Sequence, residues 1–311
     1  MNTAMLSPEV LKEARRRERR VAWQQTRVAW LFIAPAVIMV ALFLLLPVVF
    51  NVILSFTKWQ KFTGLDQFAG FNNYARLFRL PYFGEAMGNT AIWVVGAIIF
   101  PLAVGLGLAL LLRNIPFQET FKSLFFLPRV MAPTAVGAIW YYVYAPRGVL
   151  NSVVSGATGQ PFDYGWLFSP DSITGAVIVT FVWQTLGITM VLLLLGLAAI
   201  PKDPIEAARV DGATPGQIFR HIVWPLLLPT VLVVTILNVA AGFTTFDLLW
   251  VMASSYPAKR TLSLAVYMYY ESFSNGAWAY GSAIAVVLGS MVISVSALLA
   301  IVQSRVSKNI R

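Results

Sequence analysis

Residues 28–57 read VAWLFIAPAVIMVALFLLLPVVFNVILSFT, thirty consecutive positions without Asp, Glu, Lys or Arg. A helix needs roughly 20 apolar residues to cross the hydrocarbon of a bilayer, so this stretch satisfies the requirement of a membrane span. The pattern recurs along the chain. Charge is absent from 86 to 112, from 172 to 201 and from 272 to 304, and between 221 and 246 the only titratable side chain is His221. A sixth candidate lies between Lys122 and Arg147, broken only by Arg129, with Pro128 and Pro133 placed to kink it.

The composition agrees with the gaps. The 311 residues are 58% hydrophobic and only 12% charged, half the roughly 25% of a soluble domain, which excludes an ordinary water-soluble enzyme. A spanning segment must pair its own backbone, and these segments far exceed the roughly 10-residue alternating strands of a membrane barrel. The predicted fold is therefore all-α and polytopic, with six transmembrane helices.

Orientation follows from the basic residues. The net charge of +10 is spread through the loops rather than gathered on a soluble face, which argues against a nucleic-acid module. Seven Lys and Arg precede residue 28, two lie in 113–122, three in 201–221 and three after 304, against seven in the alternate loops. By the positive-inside rule both termini are cytoplasmic. The expected organisation is a basic cytoplasmic tail over 1–27, a six-span transmembrane domain over 28–304 and a short cytoplasmic tail over 305–311. The opening apolar run is too long for a secretory signal, whose apolar core is roughly 7 to 15 residues. Arg15 to Arg20, with five arginines, reads as a solvated or headgroup-bound segment.

Catalytic chemistry is not in evidence. The chain has no cysteine, hence no disulfide, thiolate nucleophile or Cys-ligated metal. His221 is the single histidine and has no HExxH or Asp-rich loop around it, so it reads as a loop-side residue, and neither catalytic nor metal-binding residues are expected. None of the seven lysines follows a glycine, so there is no GxxxxGK[ST] phosphate loop. Ionisable groups are nearly absent from the middle of the spans, where a proton-driven pump places them. A self-sufficient secondary transporter or facilitator for a small polar solute remains the alternative reading on composition alone.

The most informative segment is the cytoplasmic connection PKDPIEAARVDGATPGQIFRHIVWP, residues 201–225. Asp203, Pro204 and Glu206 have the spacing of an N-cap, a first-turn proline and the third residue of a capping box. A short helix is expected to begin there and to stop at Gly212, which tolerates left-handed dihedrals. Thr214, Pro215 and Gln217 repeat the start signal and launch a second helix. The predicted loop is a stiff helix-turn-helix elbow.

The order of Glu206, Ala207 and Ala208, then Asp211 and Gly212, then Ile222 and Pro225 resembles the EAA signature of binding-protein-dependent ABC importer permeases, with Trp224 where the family usually has Leu. Other segments are similar to the carbohydrate-uptake branch of that family, in the family's order: GFNNYARLF from Gly70, FKSLFFLPRVMAPTAVGAIW from Phe121, GVLN from Gly148, VWQTLGITM from Val182, TTFDLLWVM from Thr244 and GSAIAVV from Gly281. The resemblance runs from about residue 28 to 304 and implies a type I ABC importer permease fold in a bacterial or archaeal plasma membrane. It implies that Glu206, Ala207, Ala208, Asp211, Gly212, Ile222 and Pro225 form the coupling loop that docks on a separate ATPase. The implied partners are a second homologous permease, two cytoplasmic ATPase subunits and an extracytoplasmic solute-binding protein, with carbohydrate or polyol as solute. No cofactor is expected on this chain, since ATP and Mg belong to the ATPase subunits.

A sugar pathway needs flat apolar faces and neutral hydrogen-bonding groups. The fourth and fifth spans offer Trp183, Gln184, Asn238, Phe243, Thr244, Phe246 and Asp247 as candidates. Gly281, Ala285 and Gly289 present a small face on the last span, suited to close helix packing.

Overall fold

The computed structural model describes residues 30, 32–113, 115–253, 256 and 258–309. The expected tail over 1–27, with Arg15 to Arg20, lies outside the described residues. The chain divides into two compact units, Met1–Ile53 and Leu54–Arg311. The described part of the first is helix α1, Phe32–Ser55, whose last two residues belong to the second.

The second unit contains α2 (Asn72–Arg79), α3 (Pro81–Leu112), α4 (Gln118–Val130), α5 (Pro133–Val143) and α6 (Val149–Thr158). These are followed by α7 (Pro170–Ala198), α8 (Asp203–Val210), α9 (Pro215–Thr244), α10 (Asp247–Met252), α11 (Leu264–Tyr269) and α12 (Trp278–Asn309). Five of these helices, α3, α5, α7, α8 and α9, carry a proline in the first turn, where its missing N–H is no loss and its fixed φ suits the helix.

Five helices, α1, α3, α7, α9 and α12, are long and apolar enough to cross a membrane. Where the sixth span is expected, the chain forms two helices, α4 and α5, that meet at an angle of 96°. Met131 is extended at the break, and Pro133 restarts the chain as α5. A break within hydrocarbon exposes carbonyl oxygens that need donors. The buried Gln184 of α7 supplies one, its Nε2 donating to the Met131 carbonyl at 3.3 Å.

Two prolines shape the helices in another way. A proline cannot donate to the carbonyl four residues back, and its ring crowds that carbonyl. Ahead of Pro47 the turn Ala41–Leu45 widens to a π-turn, and the Leu46 N–H reaches the Ala41 carbonyl, five residues back. Ahead of Pro225 the turn Phe219–Val223 does the same, the Trp224 N–H reaching Phe219. Single π-turns inside α-helices recur at functional segments, and the second of these lies in the 201–225 connection.

Helices α3 and α7 are packed closely. A Cβ built on Gly96 would come within 2.7 Å of Ile178, and one on Gly105 within 2.8 Å of Thr189. A Cβ on Gly187 would run into the backbone carbonyl of Phe125, so α4 rests directly on α7 at that glycine. Small residues that let backbones approach are the expected means of association where lipid and side chain are equally apolar. The stripe expected on α12 behaves unevenly. Gly281 abuts Ser272, Ala285 is half-buried and Gly289 faces open space within the chain.

The buried apolar residues form two clusters. The larger includes Leu77, Trp93, Ile173, Phe181, Phe243, Leu264 and Tyr267. At the same end lies Tyr256, whose hydroxyl is held above its ordinary range by burial and, to a lesser extent, by the negative charges of Glu85 and Asp171. The smaller cluster gathers Ala109 and Leu112 of α3, Leu194 and Leu197 of α7, Ile205 of α8, and Ile218 and Leu227 of α9. Its end of the bundle carries Arg113 and Lys202, the first charges after α3 and α7.

Candidate functional site: the cytoplasmic elbow

The elbow folds as two capped turns, with one difference from the spacing argument. Asp203 is the first helical residue of α8 rather than its cap, and no side-chain cap bond forms there. The backbone of Lys202 is already helical (φ −79, ψ −32), and its carbonyl accepts from both Ile205 and Glu206 at 2.9 Å. The helix therefore begins one residue early, and the Asp203–Glu206 capping box is not made. Asp203 and Glu206 instead place two carboxylates in the first turn, where the helix dipole favours negative charge by about 0.3–1 kcal/mol.

The exit and the second start agree with expectation. Gly212 has φ +80, the Ala213 N–H donates to the Ala208 carbonyl at 2.9 Å and the Gly212 N–H to Arg209 at 3.1 Å. This bonding pair is the Schellman arrangement that ends helices on a left-handed glycine. At Thr214 a full capping box forms: its N–H donates to Gln217 Oε1 at 2.8 Å and the Gln217 N–H donates to Thr214 Oγ1 at 3.4 Å. His221 Nδ1 donates to the Gln217 carbonyl at 3.0 Å and is exposed, a local bond that fits a loop-side role.

The elbow has two faces. Ile205 and Ile218 are buried in the smaller apolar cluster against α3, α7 and α9. Glu206, Ala207, Asp211 and Gly212 are exposed, Ala208 is half-buried, and Val210 stands at the crest 88% exposed. Ile222 and Pro225 lie half-buried beyond, flanking the end of the π-turn. A rigid knuckle is thus anchored by its inner side to three long helices, while its outer side has nothing against it among the described residues. The two anchors escaped the motif reading. Their sequence signal is that each is the only large aliphatic residue in its helix's first turn, amid polar and small neighbours.

The candidate pathway residues are more dispersed. Trp183 is partly exposed and its ring meets Trp140 edge-on at 5.7 Å, while Gln184 is engaged at the α4–α5 break. Phe243 is buried in the larger cluster. Phe246 stacks with Trp250 at 5.7 Å and lies 4.6 Å from Tyr269. Thr244 and Asp247 are exposed around the junction of α9 and α10. Asn238 is buried on α9, and its amide Nδ2 has no hydrogen-bond partner. The hydroxyl of Thr189 on α7 is likewise buried and unpaired, a position composition alone does not single out.

A family described as the inner membrane component of binding-protein-dependent transport systems matches residues 99–310. The chain belongs to this family. A probable ABC transporter permease protein of Pyrococcus horikoshii is 33% identical over 261 residues, 83% of this chain and 89% of that protein. The sulfoquinovosyl glycerol transport system permease protein SmoG of Agrobacterium fabrum is 34% identical over 275 residues, 87% of this chain and 88% of that protein. Among solved structures, a chain of a bacterial alginate ABC transporter, in complex with an alginate pentasaccharide-bound periplasmic protein, superposes with a TM-score of 0.77 at 19% identity, covering 92% of this chain and 98% of that one. The protein is thus an inner-membrane permease subunit of an ABC importer, with the all-α permease fold.

Proposed function

We propose that this permease forms one transmembrane half of an ATP-driven importer for a carbohydrate or polyol and takes its driving force through the elbow at Glu206–Gly212. The carrying observation is the elbow's construction: an exposed crest set between the Gly212 exit and the Thr214 capping box, with Ile205 and Ile218 locked among three spans. A stiff element attached this way converts displacement at the crest into displacement of α3, α7 and α9. Such coupling requires the partner to bind the two conformations with different affinity.

The assembly in this reading contains a second homologous permease, two cytoplasmic ATPase subunits that hold ATP and Mg, and an extracytoplasmic solute-binding protein. This chain has no ATPase site of its own. Residues 28–304 form the six-span permease domain, with 1–27, the 201–225 connection and 305–311 on the cytoplasmic side. The loops at the Glu85, Asp171 and Tyr256 end face the binding protein. The carbohydrate class is supported by the glycoside named for SmoG and by the partly exposed aromatic ring of Trp183, which suits a sugar ring.

Asn238 is assigned to the pathway, because a buried amide donor without a partner is costly in a membrane and persists for a reason. In liposomes holding the assembled transporter, uptake is expected to require ATP and the ATPase subunits. Asn238→Leu should raise the solute concentration for half-maximal uptake about tenfold, the worth of one lost hydrogen bond to a solute hydroxyl. It should leave thermal stability unchanged or higher, since no bond within the chain is lost. Unaltered uptake with lowered stability would assign Asn238 to helix packing instead, and uptake by this chain alone would support a facilitator.

A further inference from the structure

Beside the elbow lies a cleft of about 500 Å³, within the size range of small-ligand sites. Its walls join the end of α3, the length of α8 and the start of α9. Arg113, Lys202 and Arg209 line it, and Glu206 is the one carboxylate that does so, leaving two positive charges in excess. Among the described residues the only ion pair is Lys122 with Glu119, so the three cations have no carboxylate partner. The remaining wall is apolar, with Leu110, Ile205 and Phe219. Leu111, on the same turn of α3, is 72% exposed.

Position selects the ligand. Arg113 and Lys202 are the first charges after the charge-free runs 86–112 and 172–201, which sets them at headgroup level. A soluble anion needs the cations alone. An amphiphile needs both the cations and an apolar wall that continues onto an exposed aliphatic helix surface, and this cleft has both. Basic pockets between helix ends on the cytoplasmic side have the chemistry that holds anionic lipid headgroups.

We propose that this cleft seats the phosphodiester headgroup of an anionic phospholipid of the cytoplasmic leaflet, with Arg113, Lys202 and Arg209 around the phosphate and the acyl chains leaving along Leu110 and Leu111. The lipid then packs against α8, so the elbow moves with a bound lipid on its flank. This rests on the orientation proposed above. Its readout is lipid retention, which is independent of whether ATP-driven uptake is observed.

The test is native mass spectrometry of the assembled transporter, ATPase subunits included, titrated with phosphatidylglycerol or phosphatidylcholine. Wild type should retain phosphatidylglycerol in preference, and Arg113→Gln with Lys202→Gln should weaken that retention roughly thirtyfold, the worth of two cations at a membrane surface. Arg113→Lys with Lys202→Arg should restore it. Equal retention of the two lipids by wild type, or undiminished phosphatidylglycerol retention by the glutamine variant, would overturn the proposal. Displacement of the lipid by equimolar inorganic phosphate would give the cleft to a soluble anion, and loss of lipid when the ATPase subunits bind would give it to the ATPase; either result also overturns it.

Discussion

Truncating Ile205 and Ile218 together to alanine should abolish most ATP-driven uptake while leaving the transmembrane bundle folded. Each side chain is buried where α8 and α9 meet the ends of α3 and α7, and each truncation costs about 2 to 5 kcal/mol in transfer and cavity terms. The loss is local. The larger apolar cluster lies at the other end of the same helices and does not include either residue, so the elbow detaches before the bundle melts. Even 2 kcal/mol shifts the ratio of seated to loosened elbow about thirtyfold, and uptake should fall by tenfold or more. The outer face keeps Glu206, Ala207 and Asp211, so the ATPase still docks and still hydrolyses ATP, but that hydrolysis no longer moves the spans. Ile205→Val, which removes one methylene at about 0.5 to 1.5 kcal/mol, should retain most uptake. Uptake and ATP hydrolysis measured side by side in liposomes decide the matter. Wild-type uptake in the double variant would mean that force does not pass through these two side chains.

The second large effect is expected at Gly212. A Cβ there meets nothing within 4 Å, but φ is +80, so substitution acts through the backbone and not through collision. Gly212→Val should cost about 1 to 2 kcal/mol in the left-handed region and more for a β-branched side chain. The chain relieves this by leaving the Schellman exit, which redirects the path from α8 into the Thr214 cap and rotates the crest against its neighbour. Stimulation of ATP hydrolysis by solute-loaded binding protein should be lost, with the bundle's thermal stability nearly unchanged. Gly212→Asn is the informative control, because asparagine tolerates the left-handed conformation and serves at helix ends. It should keep most of the coupling that valine loses. Equal behaviour of the two variants would show that the dihedral is not what matters at this position.

What the sequence revealed and what it withheld divides along a physical line. Features set by residues within one turn were legible: the exit at Gly212, the reciprocal bonds of Thr214 and Gln217, and the charge-free spans themselves. The cap at Asp203 was misplaced by one residue because Lys202, with no side-chain preference for a cap, nonetheless adopts helical dihedrals and lends its carbonyl to the first turn. The third span shows a larger gap. Pro128 and Pro133 signal a kink, but an angle of 96° depends on α7, which provides Gln184 to satisfy the Met131 carbonyl and Gly187 to admit the Phe125 backbone. Those are contacts across some sixty residues of chain, and no local pattern encodes them. Likewise Asn238 stands out in the sequence as a polar residue in an apolar run. That its amide is left without a partner follows only from how α9 is packed.

The most direct test of the elbow's role uses the absence of cysteine from the chain, which makes an introduced thiol unique. Val210→Cys places that thiol at the crest, where the native side chain is 88% exposed. With a short bifunctional reagent and the assembled transporter in liposomes, the thiol should crosslink to the ATPase subunit, with a yield that changes between nucleotide-free and ATP-bound states. Failure to capture the ATPase in either state, when the complex is intact by co-purification, would contradict the account.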